Sequence, residues 1–338
     1  MSVSEPAPRQ VTRSDVARYA GVSSAVVSYV VNGGPRAVAP ATAKRVADAI
    51  RTLGYRPNLS ARALRTGTTK TLGLVLPEIN NPLYAAWAVA LEVAAAERGY
   101  MVLLINSDGD PESDHRAITH LAERQIDGLL VTSSMARPDL AVPSLQGIPT
   151  VVLGVLEKGP GTVSIGVDAY AGAYEAVTHL IGHGHARIGL IIGGGSGGNP
   201  ELRESGWLAA SRDAGLPDGP IAREPWSRAG GYEGGMRLFS SVNYPSAVFV
   251  SSDMQALGLL RALHELGLRV PDDVAIVSFD GTEDTEYTSP SLTAVQQPVK
   301  AMAVEAVTAV LDLAASRQTE HPLHPPKLIL RESCGCEH

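Results

Sequence analysis

The chain has 338 residues, 44% hydrophobic and 19% charged, with a formal net charge of −7, a length that holds two or three domains rather than one small core. Residues 1–70 carry eleven Lys/Arg against three Asp/Glu while the remaining 268 carry seventeen against thirty-two, so a basic head suited to a polyanion precedes an acidic body. Two cysteines, Cys334 and Cys336, exclude a disulfide framework; with no apolar signal core in MSVSEPAPRQ and no run of eighteen apolar residues, a cytoplasmic location away from any membrane is expected.

Thr12 and Asp15 make a T-x-x-D capping pattern, which starts a helix whose apolar face is Val16, Ala17 and Ala20. Gly21 ends it, since glycine takes the left-handed conformation that turns the chain. Ser23 caps a second helix, Ser24 to Val31, with Val26, Val27, Val30 and Val31 inward and Ser24, Ala25, Ser28 and Tyr29 outward. Asn32-Gly33-Gly34 stops that helix. A third runs from Pro40 to Leu53, with Val46, Ala49, Ile50 and Leu53 on one stripe and Gly54 at its end. Three short helices, the first two joined by a glycine turn in basic surroundings, predict a helix-turn-helix unit that meets DNA. The next segment, Asn58 to Arg65, is only about two helical turns and too short to be stable alone in water.

From Thr71 apolar strands alternate with amphipathic helices. TLGLVLP, MVLLINS, IDGLLVTSS and TVVLG are strands, and LYAAWAVALEVAAAERGY and ESDHRAITHLAERQ are helices. The alternation restarts with the helix AYEAVTHLIGHG and continues through RIGLIIGG, SAVFVSS, ALGLLRALHELGL and VAIVSFD. Two such blocks predict two α/β lobes with parallel sheets and a crevice at the carboxyl ends of the strands.

Enzymatic signatures are missing from this pattern. IIGGGSGGN lacks the Gly-Lys-Ser/Thr of a phosphate loop and reads as a cleft loop. No nucleophile elbow or acid–base pair can be placed, so neither catalysis nor a cofactor is expected. In the tail SCGCEH, three potential ligands, Cys334, Cys336 and His338, lack a preorganised site. His183 and His185 stand two apart in a helix-to-strand turn, not at zinc-helix spacing, so no metal is expected either.

The run VTRSDVARYAGVSSAVVSYVVNG, followed by ATAKRVADAIRTLGYRPNLSARALRTGTTKTLGLVLP, resembles the LacI/GalR family of bacterial transcriptional repressors. The match is dense over residues 11–80 and continues in blocks to about residue 332. It implies an N-terminal all-α helix-turn-helix DNA-binding domain on an α/β, Rossmann-like core of two lobes, shaped like a periplasmic binding protein. The implied boundaries are 10–57 for the head and 58–69 for a hinge helix and linker. The core would comprise an N-terminal lobe of 70–166 and 296–325 and a C-terminal lobe of 167–295 and 326–332.

The same resemblance implies roles for particular residues. Ser24, Ala25 and Tyr29 match positions that read bases, and Thr12, Ser23, Ser28, Asn32, Tyr55 and Asn58 match positions that contact phosphate or backbone. Ala61 and Leu64 match a hinge that pairs in the minor groove, Leu64 as the apolar wedge. Tyr84, Asp168, Arg203, Trp226, Ser252, Asp280 and Gln297 match effector contacts, with Arg203 gripping oxygens, Trp226 stacking and Asp280 accepting hydroxyls. The implied partners are a near-palindromic double-stranded operator, a second copy of the chain and a small-molecule effector, with a carbohydrate as the expected class. Such a nucleoid-associated homodimer would act as a repressor.

Three positions depart from the family pattern. Tyr29 stands where many relatives have Arg, and cannot make the paired hydrogen bonds of Arg to guanine, so a different operator base is expected there. Ala39 replaces a Ser/Thr cap, and Gly154 replaces an Asp of several sugar-binding relatives. The competing possibility is a periplasmic-type sugar-binding protein that does not bind DNA; it would need export and leaves the basic head unexplained.

Overall fold

The computed structural model describes residues 11–32, 34, 37–56, 63, 66–132, 147–154, 163–194, 201–317 and 321–336. The chain divides into two units, residues 1–69 and 70–338.

The first unit contains α1 (Arg13–Ala20), α2 (Ser24–Asn32) and α3 (Pro40–Leu53). Their ends are set by local chemistry. Thr12 Oγ1 accepts from the Asp15 amide at 3.4 Å, and Asp15 Oδ2 accepts from the Thr12 amide at 2.9 Å, a reciprocal box that satisfies two amides at the start of α1. Gly21, at φ +64°, ends α1, and Ser23 Oγ accepts from the Val26 amide at 3.3 Å to start α2. Val16, Val27, Val46 and Ala49 are fully buried where the three helices meet, with Val22, Val30, Val31, Ile50 and Leu53 packed around them. Burying each valine contributes about 1.5 kcal/mol or more, which makes three individually marginal helices stable together.

α3 is the weakly started one. Ala39 stands at its N-cap and makes no side-chain hydrogen bond there. Ala39→Ser is expected to stabilise the head by about 0.5–1 kcal/mol, read as slower amide exchange in α3. Unchanged or faster exchange would show that another group already satisfies those amides.

The second unit is built on two sheets. The first has the order β2-β1-β3-β4-β5, from β1 (Thr71–Leu76), β2 (Met101–Asn106), β3 (Gly128–Thr132), β4 (Thr150–Leu153) and β5 (Val163–Ile165), all parallel. α4 (Pro82–Glu97) and α5 (Pro111–Glu123) cover it. The second sheet has the order β11-β10-β9-β8-β6-β7. Its strands are β6 (Ile188–Ile192), β7 (Ile221–Arg223), β8 (Ala247–Val250), β9 (Ala275–Asp280), β10 (Thr293–Gln296) and β11 (Lys327–Ile329). Around it lie α6 (Ala169–Gly182), α7 (Leu202–Asp213), α8 (Arg228–Phe239) and α9 (Asp253–Glu265). β1, β3, β6, β8 and β9 are buried almost throughout, which is why each reads as an unbroken apolar run.

One strand departs from the parallel expectation. β11 runs antiparallel to β10, with Val295 opposite Leu328. Between them the chain forms α10 (Val299–Ala314), which packs on α4 and on β3 to β5 of the first sheet. β11 therefore returns from the other lobe rather than through a βαβ crossover, and nothing forces it to be parallel. The chain passes between the lobes three times: between β5 and α6, between β10 and α10, and between α10 and β11. Among the described residues no helix is long and apolar enough to cross a membrane.

Candidate functional site

Two surfaces carry the residues that the sequence singles out. On the head, Ala25 is exposed on α2, and Ser24, Ser28 and Tyr29 are half-buried. The tyrosine ring lies flat against Gly34, where an added Cβ would come within 2.2 Å of Cδ1. Thr12 and Ser23 are exposed while they cap their helices. Tyr55 packs against the head core, so burial of its ring accounts for part of its presence. Asn58, Ala61 and Leu64 lie outside the described residues, as does the side chain of Asn32.

The charge of the head is arranged as well as unbalanced. Its two described acids are paired within their own helices, Asp15 with Arg18 and Asp48 with Arg51. Arg13, Lys44, Arg45 and Arg56 are exposed besides. A head whose described acids are paired and whose other described cations are exposed can approach a polyanion without like-charge repulsion.

In the core, the singled-out residues gather at the carboxyl ends of adjacent strands. Asp280 closes β9, Gln297 follows β10, Trp226 follows β7, Ser252 follows β8, and Arg203 lies in the first turn of α7 after β6. Tyr84 occupies the first turn of α4, which follows β1 of the other sheet. The crevice outside such strand ends is where open α/β sheets place ligands.

Asp280 is the centre of this set. It is buried, it accepts from Gln297 Nε2 at 2.8 Å, and it holds φ at +112°, a conformation rare outside glycine. Burial, reinforced by the charge of Asp253, holds its carboxyl well above the usual carboxylate range, against the opposing pull of Arg203 and Gln297. Burial also lifts the Tyr84 hydroxyl, helped by the charge of Asp280, to a pKa of about 12, so that group remains a neutral phenol. The Arg203 guanidinium sits 4.6 Å above the ring of Phe279, with Glu201 at 3.8 Å as its ion-pair partner. Arg203 Nε is buried and has no hydrogen-bond partner. A charged donor left without an acceptor at a strand-end crevice is costly unless something else satisfies it.

Trp226 is seated rather than loose. Its Nε1 donates to Ser251 Oγ at 3.0 Å, and its ring covers Gly193, where a Cβ would lie 2.1 Å from Cε2. Ser251 Oγ in turn donates to Gln255 Oε1 at 2.8 Å, and Gln255 Nε2 donates to the carbonyls of Glu224 and Pro225 at 3.0 and 3.1 Å. The sequence reading passed over Gly193, Ser251 and Gln255, which act only through the indole they hold. Ser252 is buried and caps α9, accepting from the Gln255 amide at 3.3 Å. Asp168 caps α6 in the same way, from the Ala171 amide at 2.9 Å. The structure thus joins Tyr84, Arg203, Asp280 and Gln297, anchors Trp226 nearby on the same sheet edge, and gives Ser252 and Asp168 capping roles. Most of the glycine loop 193–199 lies outside the described residues.

Comparison with known proteins gives two family matches. Residues 12–58 match bacterial regulatory proteins of the lacI family, and residues 177–334 match a periplasmic binding protein-like domain. The HTH-type transcriptional repressor PurR of Actinobacillus pleuropneumoniae serotype 3 (strain JL03) is 34% identical over 333 residues, covering 95% of this chain and 98% of that protein. Among solved structures, the lac repressor dimer bound to operator and the anti-inducer ONPF superposes with a TM-score of 0.86 at 28% identity, covering 96% of this chain and 99% of that one. The complex of the transcriptional regulator CelR with cellobiose has a TM-score of 0.69 at 31% identity, covering 96% of this chain and 100% of that one.

Proposed function

This chain belongs to the lacI family of bacterial regulatory proteins, and on that premise we propose that its core site takes a carbohydrate whose binding sets the operator affinity of the head. It is a transcriptional repressor with a helix-turn-helix DNA-binding unit and an effector-binding core. In our assignment residues 10–57 form the head, 58–69 the hinge, 70–166 with 296–325 one lobe, and 167–295 with 326–332 the other. Ser24, Ala25 and Tyr29 meet base edges in the major groove, and Thr12, Ser23, Ser28, Asn32, Tyr55 and Asn58 meet the sugar–phosphate backbone. A homodimer presents two heads to half-sites about one helical turn apart, and paired hinges place Ala61 and Leu64 in the minor groove between them.

The observation that carries the carbohydrate is the make-up of the core set. A carboxyl, an amide, a neutral phenol and an unpartnered guanidinium nitrogen gather at the strand ends, where a fixed indole also stands. Hydroxyls both donate and accept, and the C–H face of a sugar ring covers an aromatic one. The cellobiose complex of CelR supports the same class. Binding between the lobes selects one of two closure states, and the hinge spacing follows. The chain carries no catalysis in this scheme. Asp253, the other buried acid near Asp280, spends its oxygens on Ser278 Oγ at 2.6 Å and on the Thr282 amide and Oγ1 at 2.7 and 2.8 Å, which suits an anchor and not a proton shuttle. A repressor of this kind acts in the cytoplasm, on the nucleoid.

The test is gel retardation with the DNA upstream of the chain's own gene, across salt concentrations and with mono- and disaccharides. Affinity should fall steeply with salt, and specific binding should exceed non-specific binding by roughly a thousandfold or more. A sugar should shift the operator curve. Failure to retard any DNA at low salt would reject the head assignment, and indifference to every sugar would reject the effector class.

A further inference from the structure

Far from the effector residues, the end of α6 and the end of the chain bring four metal-ligating side chains together. The ligand atoms of His179, His183, Cys334 and Cys336 all lie within 4.8 Å of one another. From this cluster we propose that the chain binds one zinc ion through two histidines and two cysteinates, tying its C-terminal segment to α6.

Each ligand is placed by its local structure. His179 lies in the last turn of α6 and His183 at its C-cap, four residues apart and therefore on one face. Their rings stand edge-on at 4.7 Å between centroids. The 3-10 turn Glu332–Cys334 is held against β9 and β10: Ser333 Oγ donates to the Ile276 carbonyl at 2.8 Å and accepts from the Thr293 amide at 2.8 Å. That fixes Cys334, which is buried with Thr293 Oγ1 at 3.1 Å from its sulfur. Gly335, at φ +86°, turns the chain so that Cys336 points back to the same place.

Two of the ligand–ligand distances match the edges of a tetrahedral zinc site. Cys336 Sγ is 3.6 Å from His179 Nε2 and 3.4 Å from His183 Nε2. With zinc–sulfur and zinc–nitrogen bonds of about 2.3 and 2.0–2.1 Å, the S···N edge of a tetrahedron is about 3.5–3.6 Å.

Two thiolates and two neutral imidazoles balance the 2+ charge, with both thiol protons released to solvent as the metal binds. Borderline-soft S2N2 donors in tetrahedral array select zinc over magnesium or calcium. His183 is exposed and His179 and Cys336 are half-buried, so the ion has a route in. Four protein ligands leave no open position, which makes the site structural. Sequence spacing hides it, because Cys336 is 157 residues from His179. The tail Cys334, Cys336 and His338 lack preorganisation by themselves; α6 supplies the missing pair, and His338 lies outside the described residues.

Cobalt(II) titration of the full chain, stripped of metal and kept reduced, tests this. One equivalent per chain should produce thiolate-to-cobalt charge transfer and intense tetrahedral ligand-field absorption, both erased by zinc. Zinc should raise the unfolding midpoint of the wild-type chain. His183→Ala and Cys336→Ser should each abolish the charge-transfer signal and the zinc-dependent shift, while the metal-free midpoint stays near wild type. A titration without thiolate absorption would overturn the site, as would a signal that survives Cys336→Ser.

Discussion

Arg203→Ala is expected to abolish the response to effector while leaving operator binding by the ligand-free chain near normal. The polar end of Arg203 is weakly held within the chain: its ion pair with Glu201 is long, its charge rests on Phe279, and its buried Nε has no partner. An effector oxygen would complete that hydrogen-bonding shell. Two charge-assisted hydrogen bonds lost on truncation amount to at least about a hundredfold in effector affinity. Operator titrations with and without sugar measure both halves of the expectation. If Arg203→Ala instead weakened DNA binding without effector, the guanidinium would be a structural element of the lobe, and the site would lose its principal donor. Trp226→Phe offers an independent check, since a bound sugar should change the fluorescence of the wild-type chain and not of that variant.

Asp253→Ala should destabilise the core unit by about 3 kcal/mol, because it strands the buried Ser278 hydroxyl and leaves both half-buried Thr282 donors without their acceptor. Asp253→Asn should cost much less, since an amide oxygen keeps one acceptor and the negative charge facing Asp280 disappears. The two variants separate hydrogen bonding from charge. Both variants remove the same titrating carboxyl, so they share one consequence for pH. Burial holds the carboxyls of both Asp253 and Asp280 above their unfolded values. Between about pH 4 and those raised values the folded chain therefore binds more protons than the unfolded one. Their contribution to stability is fully present below about pH 4 and is lost as pH rises through the folded values. Unfolding midpoints measured from about pH 5 to 8 should fall for the wild type, and fall less for Asp253→Asn. Equal slopes would mean that the pair is not what the pH dependence reports.

Much of this molecule was legible before any coordinates, and the reasons differ by region. The head is built from short-range rules. The Thr12–Asp15 box, the turn at Gly21 and the Ser23 cap involve residues no more than three apart, and the three apolar stripes meet as their periodicity requires. The strands of both sheets were visible as apolar runs where they are buried on both faces. The three-residue strands β5, β7 and β11 were not, because so few residues carry no period. The direction of β11 was also hidden, since it depends on where α10 packs.

Resemblance nominated the core residues, and the structure adds what else some of them do. Ser252 and Asp168 also cap α9 and α6, while Ser251, one position earlier, holds the indole of Trp226. The sequence alone determined the basic trihelical head, the two-lobe α/β body and the family to which they belong, because these follow from patterns that repeat over a few residues. Only the tertiary structure decided which acid stands beside which cation at the strand ends, and that two cysteines at the close of the chain meet two histidines on α6. Those encounters join residues up to 157 positions apart, and chain separation of that length leaves no local periodicity to read.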